Sequence, residues 1–170
     1  MSKPQTDIER ADRLYIATQR IGFALWQLQE LEGVCATYFV LVAKAKPGIG
    51  LKAGARLAMK AKKRTLGATL RKLRKRDLVD WELGTRLEAI LEERNWLVHR
   101  SAADSRGALH SVEGATELVA RVDSISKESL ALLNEVCQRV EQCVKRRGVA
   151  EEYISRTALE LLTRWHRADV

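Results

Sequence analysis

The stretch from Leu14 to Val42, LYIATQRIGFALWQLQELEGVCATYFVLV, decides the fold class of this chain. Its apolar residues recur at alternating steps of three and four, which is the spacing of one face of a helix and not of a strand. That face comprises Leu14, Ala17, Ile21, Ala24, Leu28, Leu31, Cys35, Tyr38 and Val42. We therefore predict a long first helix from about Thr6 to Lys46, ended by Pro47, Gly48 and Gly50.

The rest of the chain continues this pattern, so we predict an all-α protein. The expected architecture is an up-and-down antiparallel bundle of four to five helices with long first and fourth helices. Thr65 and Asp80 are the predicted N-caps of the second and third helices. The later helices are expected to begin near 65 and to cover about 81–101, 112–147 and 150–167, with a turn at 77–80 and a loop at 102–111. We expect one domain over 1–170, with its core at about 6–147.

The composition excludes several classes of protein. Hydrophobic residues make up 46% of the 170 residues and charged residues 31%, which is the balance of a folded domain. No apolar stretch is long enough for a transmembrane helix, so no membrane partner is expected, and the polar N-terminus lacks the core of a secretory signal. Three cysteines without CxxC spacing argue against a disulfide framework and a zinc ribbon. We expect a cytoplasmic protein without a metal or other cofactor.

Positive charge is concentrated in one part of the sequence. From Gly33 to Arg76 there are 13 Lys or Arg and no Asp or Glu, whereas the remaining residues include 17 basic and 22 acidic ones. Such a block is a solvated face, a contact with the acidic part of another subunit, or a surface that neutralises the phosphates of a polyanion. For the third interpretation, the candidate RNA-binding residues are Lys60, Lys62, Lys63, Arg64, Arg71 and Arg74.

One short motif carries candidate chemistry, Arg94-Asn95-Trp96-Leu97-Val98-His99. Arg94 occupies a position on the apolar face of the predicted third helix, which is otherwise formed by Leu83, Leu87, Ile90 and Leu97. Asn95 and His99 are four residues apart on one face, whereas Arg94 and His99 are about 140° apart around the helix. Two copies packed across a symmetric interface would pool two arginines and two histidines in one cleft. The spacing therefore predicts a composite site in a homodimer.

The motif resembles the R-x4–6-H signature of HEPN domains (higher eukaryotes and prokaryotes nucleotide-binding), in its common Arg-Asn-x-x-x-His form. Thr65-Leu66-Gly67, with Leu70 and Leu73, is also similar to that family. The resemblance covers about Thr6 to Arg147. It implies an up-and-down bundle, a homodimer and metal-independent ribonuclease activity. It further implies a toxin or antiviral effector, with a cognate antitoxin protein as a partner.

The residue types of the motif fit RNA cleavage without a metal. A histidine titrates near neutral pH, so His99 can take the proton of a ribose 2′-OH or protonate the leaving oxygen. The Arg94 guanidinium would stabilise the negative charge of a phosphorane-like transition state. Asn95 would hold a phosphate or the imidazole tautomer, and Arg100 would contact the substrate backbone. The product is expected to end in a 2′,3′-cyclic phosphate.

Structural alternatives stand beside each of these roles. Arg94 could close an ion pair with Glu92, Glu93 or a neighbouring helix, and His99 could serve only to stabilise the helix C-terminus. For the whole chain, the alternatives to a ribonuclease are a non-catalytic helical module that binds RNA, DNA or a protein, and a coiled-coil adaptor.

Large side chains outside these roles are assigned to packing. Trp26, Trp81 and Trp165 are expected to be core or interface anchors, and Trp96 is expected to pack beneath the long helices. The last helix is expected to bury Tyr153 or Ile154, together with Ala158, Leu161, Leu162 and Trp165. The cysteines lie at or near apolar faces and are expected to be inert.

Overall fold

The computed structural model describes the chain at residues 3–46 and 48–168, with side chains at 7–46, 48–50, 52–160 and 163. The described residues form helices joined by turns and contain no strand, as predicted for an all-α protein. The seven helices of the described part are α1 (Lys3–Ala43), α2 (Leu51–Lys62), α3 (Leu66–Arg74), α4 (Trp81–His99), α5 (Ser101–Ala108), α6 (Val112–Lys145) and α7 (Glu151–Ala168). None of these helices, as far as they are described, is both long and apolar enough to cross a membrane.

The two longest helices, α1 and α6, lie side by side and run in the same direction. Near the start of α1, Arg13 donates a hydrogen bond of 3.1 Å to the carbonyl of Leu109, which precedes α6. At the other end, Arg147, which follows α6, donates 3.1 Å to the carbonyl of Ala45, which follows α1. The apolar residues predicted for α1 face this core, except Leu14, which is exposed.

Helix α4 packs on α6 in the opposite direction and contributes side chains to the same hydrophobic core as α1 and α6. Its N-cap Asp80 lies 2.6 Å from Arg139 near the end of α6, and Glu93 near its own end lies 2.9 Å from Arg121 nearer the start of α6. The predicted apolar face of α4 is buried at Leu83, Leu87, Ile90 and Leu97. This packing fixes the orientation of the helix that carries the motif.

Short sequence signals set the ends of these helices, and the predicted N-caps Thr65 and Asp80 are confirmed. Thr65, Asp80 and Ser111 each accept a hydrogen bond from the backbone N–H three residues later, at 3.3, 2.9 and 3.0 Å. Gly148 follows α6 with φ +80°, a left-handed conformation that glycine adopts without a steric penalty. The caps therefore separate α3 from α2 and α4 from α3.

Asp80 supports a prediction about stability, because its carboxylate both caps α4 and forms a salt bridge with Arg139. The backbone hydrogen bond from Leu83 and the bond from Arg139 lower the pKa of this carboxyl. A lowered pKa in the folded state means that the stabilisation is present above the ordinary pKa of aspartate and is lost as the pH falls through the folded value. We expect Asp80→Ala to lower the free energy of unfolding by about 1 kcal/mol at pH 7.

The measurement is urea unfolding at pH 7 and at a pH below the folded-state pKa of Asp80. The difference between Asp80→Ala and wild type should shrink at the acidic pH. Asp80→Asn is the matched control, because it retains a capping oxygen and removes only the charge, and it should lose less stability at pH 7. A deficit for Asp80→Ala that stays constant with pH would contradict the assignment.

Two helices lie where none was predicted, which raises the number above four or five. Helix α2 packs small residues against α1, in a cluster of Ala36, Val40 and Ala61. Helix α5 replaces the loop predicted at 102–111. It is stabilised by its serines, since the hydroxyls of Ser101 and Ser105 are buried and donate to carbonyls one turn earlier.

Several side chains predicted to be buried are exposed. Trp26 is 53% exposed and Trp81 79% exposed, so neither is a core anchor, and their role as interface anchors stays a prediction. In α7, Ala158 is exposed, so its predicted burial is wrong. Of the alternatives Tyr153 and Ile154, Tyr153 is exposed and Ile154 is half-buried. As far as its side chains are described, α7 contributes no residue to the hydrophobic core. The side chains of Leu161, Leu162 and Trp165 lie outside the described residues, as does Pro47.

Candidate functional site

The motif occupies the last turns of α4, and His99 is the final residue of that helix. Asn95 and His99 are both exposed, and their spacing places them one above the other on the same side of the helix. Arg94 is half-buried and turned towards α1 instead. Within one chain the structure therefore brings Asn95 and His99 together and directs Arg94 elsewhere, as the helical spacing predicted.

The guanidinium of Arg94 is held by Glu32 of α1. The Nε atom of Arg94 donates to Oε1 of Glu32 at 3.1 Å, and the two side chains are 26% and 22% exposed. This is the ion pair with a neighbouring helix that was one structural alternative, and the partner is neither Glu92 nor Glu93. Because the contact uses Nε, the two amino groups at the end of the guanidinium are oriented and still able to donate.

A second set of contacts holds the end of α4 against the neighbouring helices. Arg121 of α6 donates to Oε2 of Glu93 through Nε and Nη2, at 3.1 and 2.9 Å. Its guanidinium carbon lies 3.6 Å from the ring centroid of Trp96, a cation–π contact. The buried indole of Trp96 donates 2.6 Å to Asp104 of α5. These contacts join α4, α5 and α6 immediately beside His99, and they confirm that Trp96 packs beneath the long helices.

Sequence reasoning missed Glu32, Arg121 and Asp104, although each of them contacts a motif residue. A signal for Asp104 was present, because a buried indole N–H requires an acceptor and Asp104 is eight residues further along the chain. Glu32 and Arg121 are 62 and 28 residues away from their partners, so no local pattern identifies them.

The cations of the basic block together make up what we call the basic surface. They lie after the end of α1, on α2 and α3 and in the turns that follow these two helices, and they are Lys44, Lys46, Lys52, Arg56, Lys60, Lys62, Lys63, Arg64, Arg71, Lys72, Arg74, Lys75 and Arg76. Among described residues, Arg74 alone of these pairs with an acidic side chain, at 2.9 Å from Glu88. Arg74 also lies over Trp81, at 5.3 Å from its centroid. Of the predicted RNA-binding residues, Arg74 is therefore already engaged.

Lys72 lies close to other cations of the basic surface. Desolvation and the neighbouring cations Arg64, Lys44 and Arg76 lower the pKa of this ammonium group. Positive charges that are not neutralised by carboxylates raise each other's energy, and an anion that binds among them relieves this. The basic surface is therefore suited to a polyanion.

The basic surface begins near the motif helix. Helix α3 packs on α4 so closely that a Cβ atom at Gly67 would lie 3.1 Å from Leu91 Cδ2. Leu91 precedes His99 by eight residues, which is about 12 Å along the axis of α4. Arg100, another predicted RNA-binding residue, is exposed directly after His99. The start of α3, which these cations precede, thus packs on α4 about two helical turns before the candidate catalytic histidine.

Neither Cys35 nor His110 adds a reactive group to this site. Cys35 is buried, and burial together with nearby Glu32 and Cys137 raises the pKa of its thiol to about 12. Such a thiol is not a nucleophile at neutral pH. His110 is exposed in the turn before α6. Among the side chains that the structure describes, no three His, Cys, Asp or Glu are grouped to hold a metal ion.

Comparison of the chain with protein-family models, with curated proteins and with solved structures gives no match. The interpretation of the site therefore depends on the motif residues, their placement on α4 and the charge around them.

Proposed function

We propose that this chain is a metal-independent endoribonuclease of the HEPN type, active as a homodimer in the cytoplasm. The observation that carries the proposal is the arrangement of the motif at an exposed helix end. His99 and Asn95 are accessible there. Glu32 orients Arg94 through Nε, so the two amino groups of the guanidinium can still donate to a substrate. A toxin or phage-defence effector restrained by an antitoxin protein is the biological role that fits such an activity.

In the proposed reaction, the protein supplies acid–base groups and positive charge. One His99 imidazole removes the proton of the ribose 2′-OH, and that oxygen attacks the adjacent phosphorus. The P–O5′ bond breaks, and a second imidazole protonates the leaving oxygen. Arg94 donates hydrogen bonds to the phosphoryl oxygens as their negative charge grows. One product ends in a 2′,3′-cyclic phosphate and the other in a 5′-OH.

The homodimer in this proposal accounts for the different directions of Arg94 and His99, because a partner's helix can supply the group that one α4 directs away. A second observation supports association. Helix α1 is apolar on two opposite sides, and its outer side exposes Tyr15, Phe23 and Trp26 at 66%, 51% and 53%. A helix of this kind commonly packs against two neighbours. The alternating directions of α1, α4 and α6 support the up-and-down bundle that the family resemblance implies.

The alternative is a non-catalytic helical module that binds RNA. Two observations favour it: the basic surface would bind RNA without chemistry, and the pair with Glu32 gives Arg94 a structural role. Both functions predict RNA binding that weakens steeply with salt, so only cleavage separates them.

The experiment that separates them is incubation of the purified full chain with total cellular RNA in excess EDTA. We expect cleavage, products that carry 2′,3′-cyclic phosphate and 5′-OH ends, and a particle with the mass of two chains by light scattering. An RNA in which every ribose is 2′-O-methylated should bind and stay intact, because it lacks the attacking hydroxyl. Binding of unmodified RNA without any cleavage would contradict the nuclease and favour the binding module.

A further inference from the structure

A recess lies between the end of α1 and α2, and three cations surround it. Its volume is about 130 Å³, and Lys44, Lys60 and Arg64 stand in its wall above an apolar floor that includes Phe39 and Val40. A single water needs only about 10–15 Å³ of such space, so the recess is large enough for a phosphate group. The three cations come from the end of α1, from α2 and from the α2–α3 turn, so the folded chain and not a single helix builds the recess.

Further cations continue from the recess towards α3. Lys72 is near enough to Arg64, Lys44 and Arg76 for these groups to perturb its titration. None of these four residues forms a salt bridge with a described acidic side chain, and Lys72 and Arg76 are exposed. The cations therefore extend over several residues on one side of the bundle, as contact with successive phosphates requires.

Within the basic surface itself, no aromatic side chain is exposed for a base to stack on. The sequence contains no Phe, Trp or Tyr between Phe39 and Trp81, and Phe39 is 1% exposed. Trp81 is exposed at the edge of the basic surface, but Arg74 lies over one face of its ring. Proteins that bind single strands combine positive charge with stacking platforms, whereas double-stranded RNA is contacted through its backbone.

We infer that the recess and the cations around it bind the phosphate backbone of base-paired RNA, with a phosphate held between Lys44, Lys60 and Arg64. This inference rests on the proposed ribonuclease function, because it names the class of RNA that the enzyme binds. Base-paired RNA presents phosphates at fixed spacing, so a rigid set of cations binds it without having to order the strand. The paired part of a substrate docks here, beside α3, which packs on the helix that carries the motif.

The test measures binding alone, using 2′-O-methylated RNA so that cleavage cannot interfere. Fluorescence anisotropy compares a duplex with one of its single strands at several salt concentrations, using the full wild-type chain. We expect the duplex to bind at least about tenfold more tightly at equal salt. Equal or tighter binding of the single strand would overturn the inference.

Three variants locate the contact. Lys44→Gln combined with Arg64→Gln should weaken duplex binding and make the slope of log K against log salt less steep by about two. Lys127→Gln, an exposed lysine of α6 outside the basic surface, is the matched control and should change neither quantity. Trp81→Ala should leave affinity unchanged. A larger loss for Trp81→Ala than for the double variant would show binding by stacking and overturn the inference.

The outcome of this test is independent of the proposed activity. A protein that cleaves RNA but prefers single strands retains the proposed function and refutes the duplex site. A protein that binds the duplex as described but never cleaves unmodified RNA refutes the nuclease.

Discussion

Replacement of His99 by alanine is expected to lower the rate of RNA cleavage by a factor of about 10² to 10⁴, the usual contribution of a general acid or base. The exposed His99 side chain ends α4 outside the hydrophobic core, so its loss should not disturb the fold. We expect the helical content, the thermal midpoint and the dimer mass to remain at wild-type values. The measurement is the initial rate of cleavage of a defined RNA, with circular dichroism on the same samples.

His110 provides the matched control for this prediction. It is also an exposed histidine at the edge of a helix, and it lies in the turn before α6. His110→Ala removes the same side chain from a similar setting and should cleave at the wild-type rate. Cleavage by His99→Ala within a few-fold of wild type would show that the imidazole takes no part in the reaction. A loss of equal size in both variants would indicate an effect that is not specific to the motif.

The framework of the fold could be predicted from the sequence because its determinants are local. The apolar spacing of three and four residues identified α1, α4 and α6, and the caps at Thr65 and Asp80 gave the starts of α3 and α4. Such signals lie within a few residues of the boundary that they set. The structure places each of these helices within a few residues of its predicted bounds.

The two short helices could not be predicted because tertiary contacts stabilise them. Helix α2 consists largely of lysine and small residues, and its apolar side is buried only by its contact with Ala36 and Val40 of α1. Helix α5 is supported by the bond from Trp96 to Asp104, which forms only when α4 and α5 meet. Isolated segments of 12 and 8 residues are too short to be stable helices on their own.

In the candidate site, too, residues that are neighbours in sequence could be predicted, and a partner that is distant in sequence could not. The sequence identified Arg94, Asn95 and His99, and helical geometry predicted their directions. The partner of Arg94 could not be identified, since Glu32 is 62 residues away and packs there only after α1 and α4 come together. The ion pair leaves a structural role for Arg94 beside the catalytic one, and a pair of variants separates them.

The double variant Glu32→Met with Arg94→Met is expected to fold stably and to cleave RNA at least about 10² times more slowly than wild type. The single variant Arg94→Met leaves the half-buried Glu32 carboxylate without its partner, which should lower the free energy of unfolding by about 1–2 kcal/mol. Replacing both members by apolar side chains removes that penalty, as exchange of an ion pair for apolar residues often does. The stability of the double variant should therefore return close to the wild-type value.

Measurement of unfolding and cleavage on the same four proteins then assigns the role of Arg94. If Arg94 stabilises the transition state, its loss lowers the rate in the single and the double variant alike, whatever happens to stability. If Arg94 serves only to pair with Glu32, the double variant regains both stability and activity. Glu32→Gln is the control in which Arg94 keeps its orientation, because the amide oxygen of the glutamine still accepts from Nε of Arg94. It should therefore lose far less activity than either variant that lacks the guanidinium. A double variant that cleaves at the wild-type rate would exclude a catalytic role for Arg94 and leave His99 and Asn95 as the chemical groups of the proposed site.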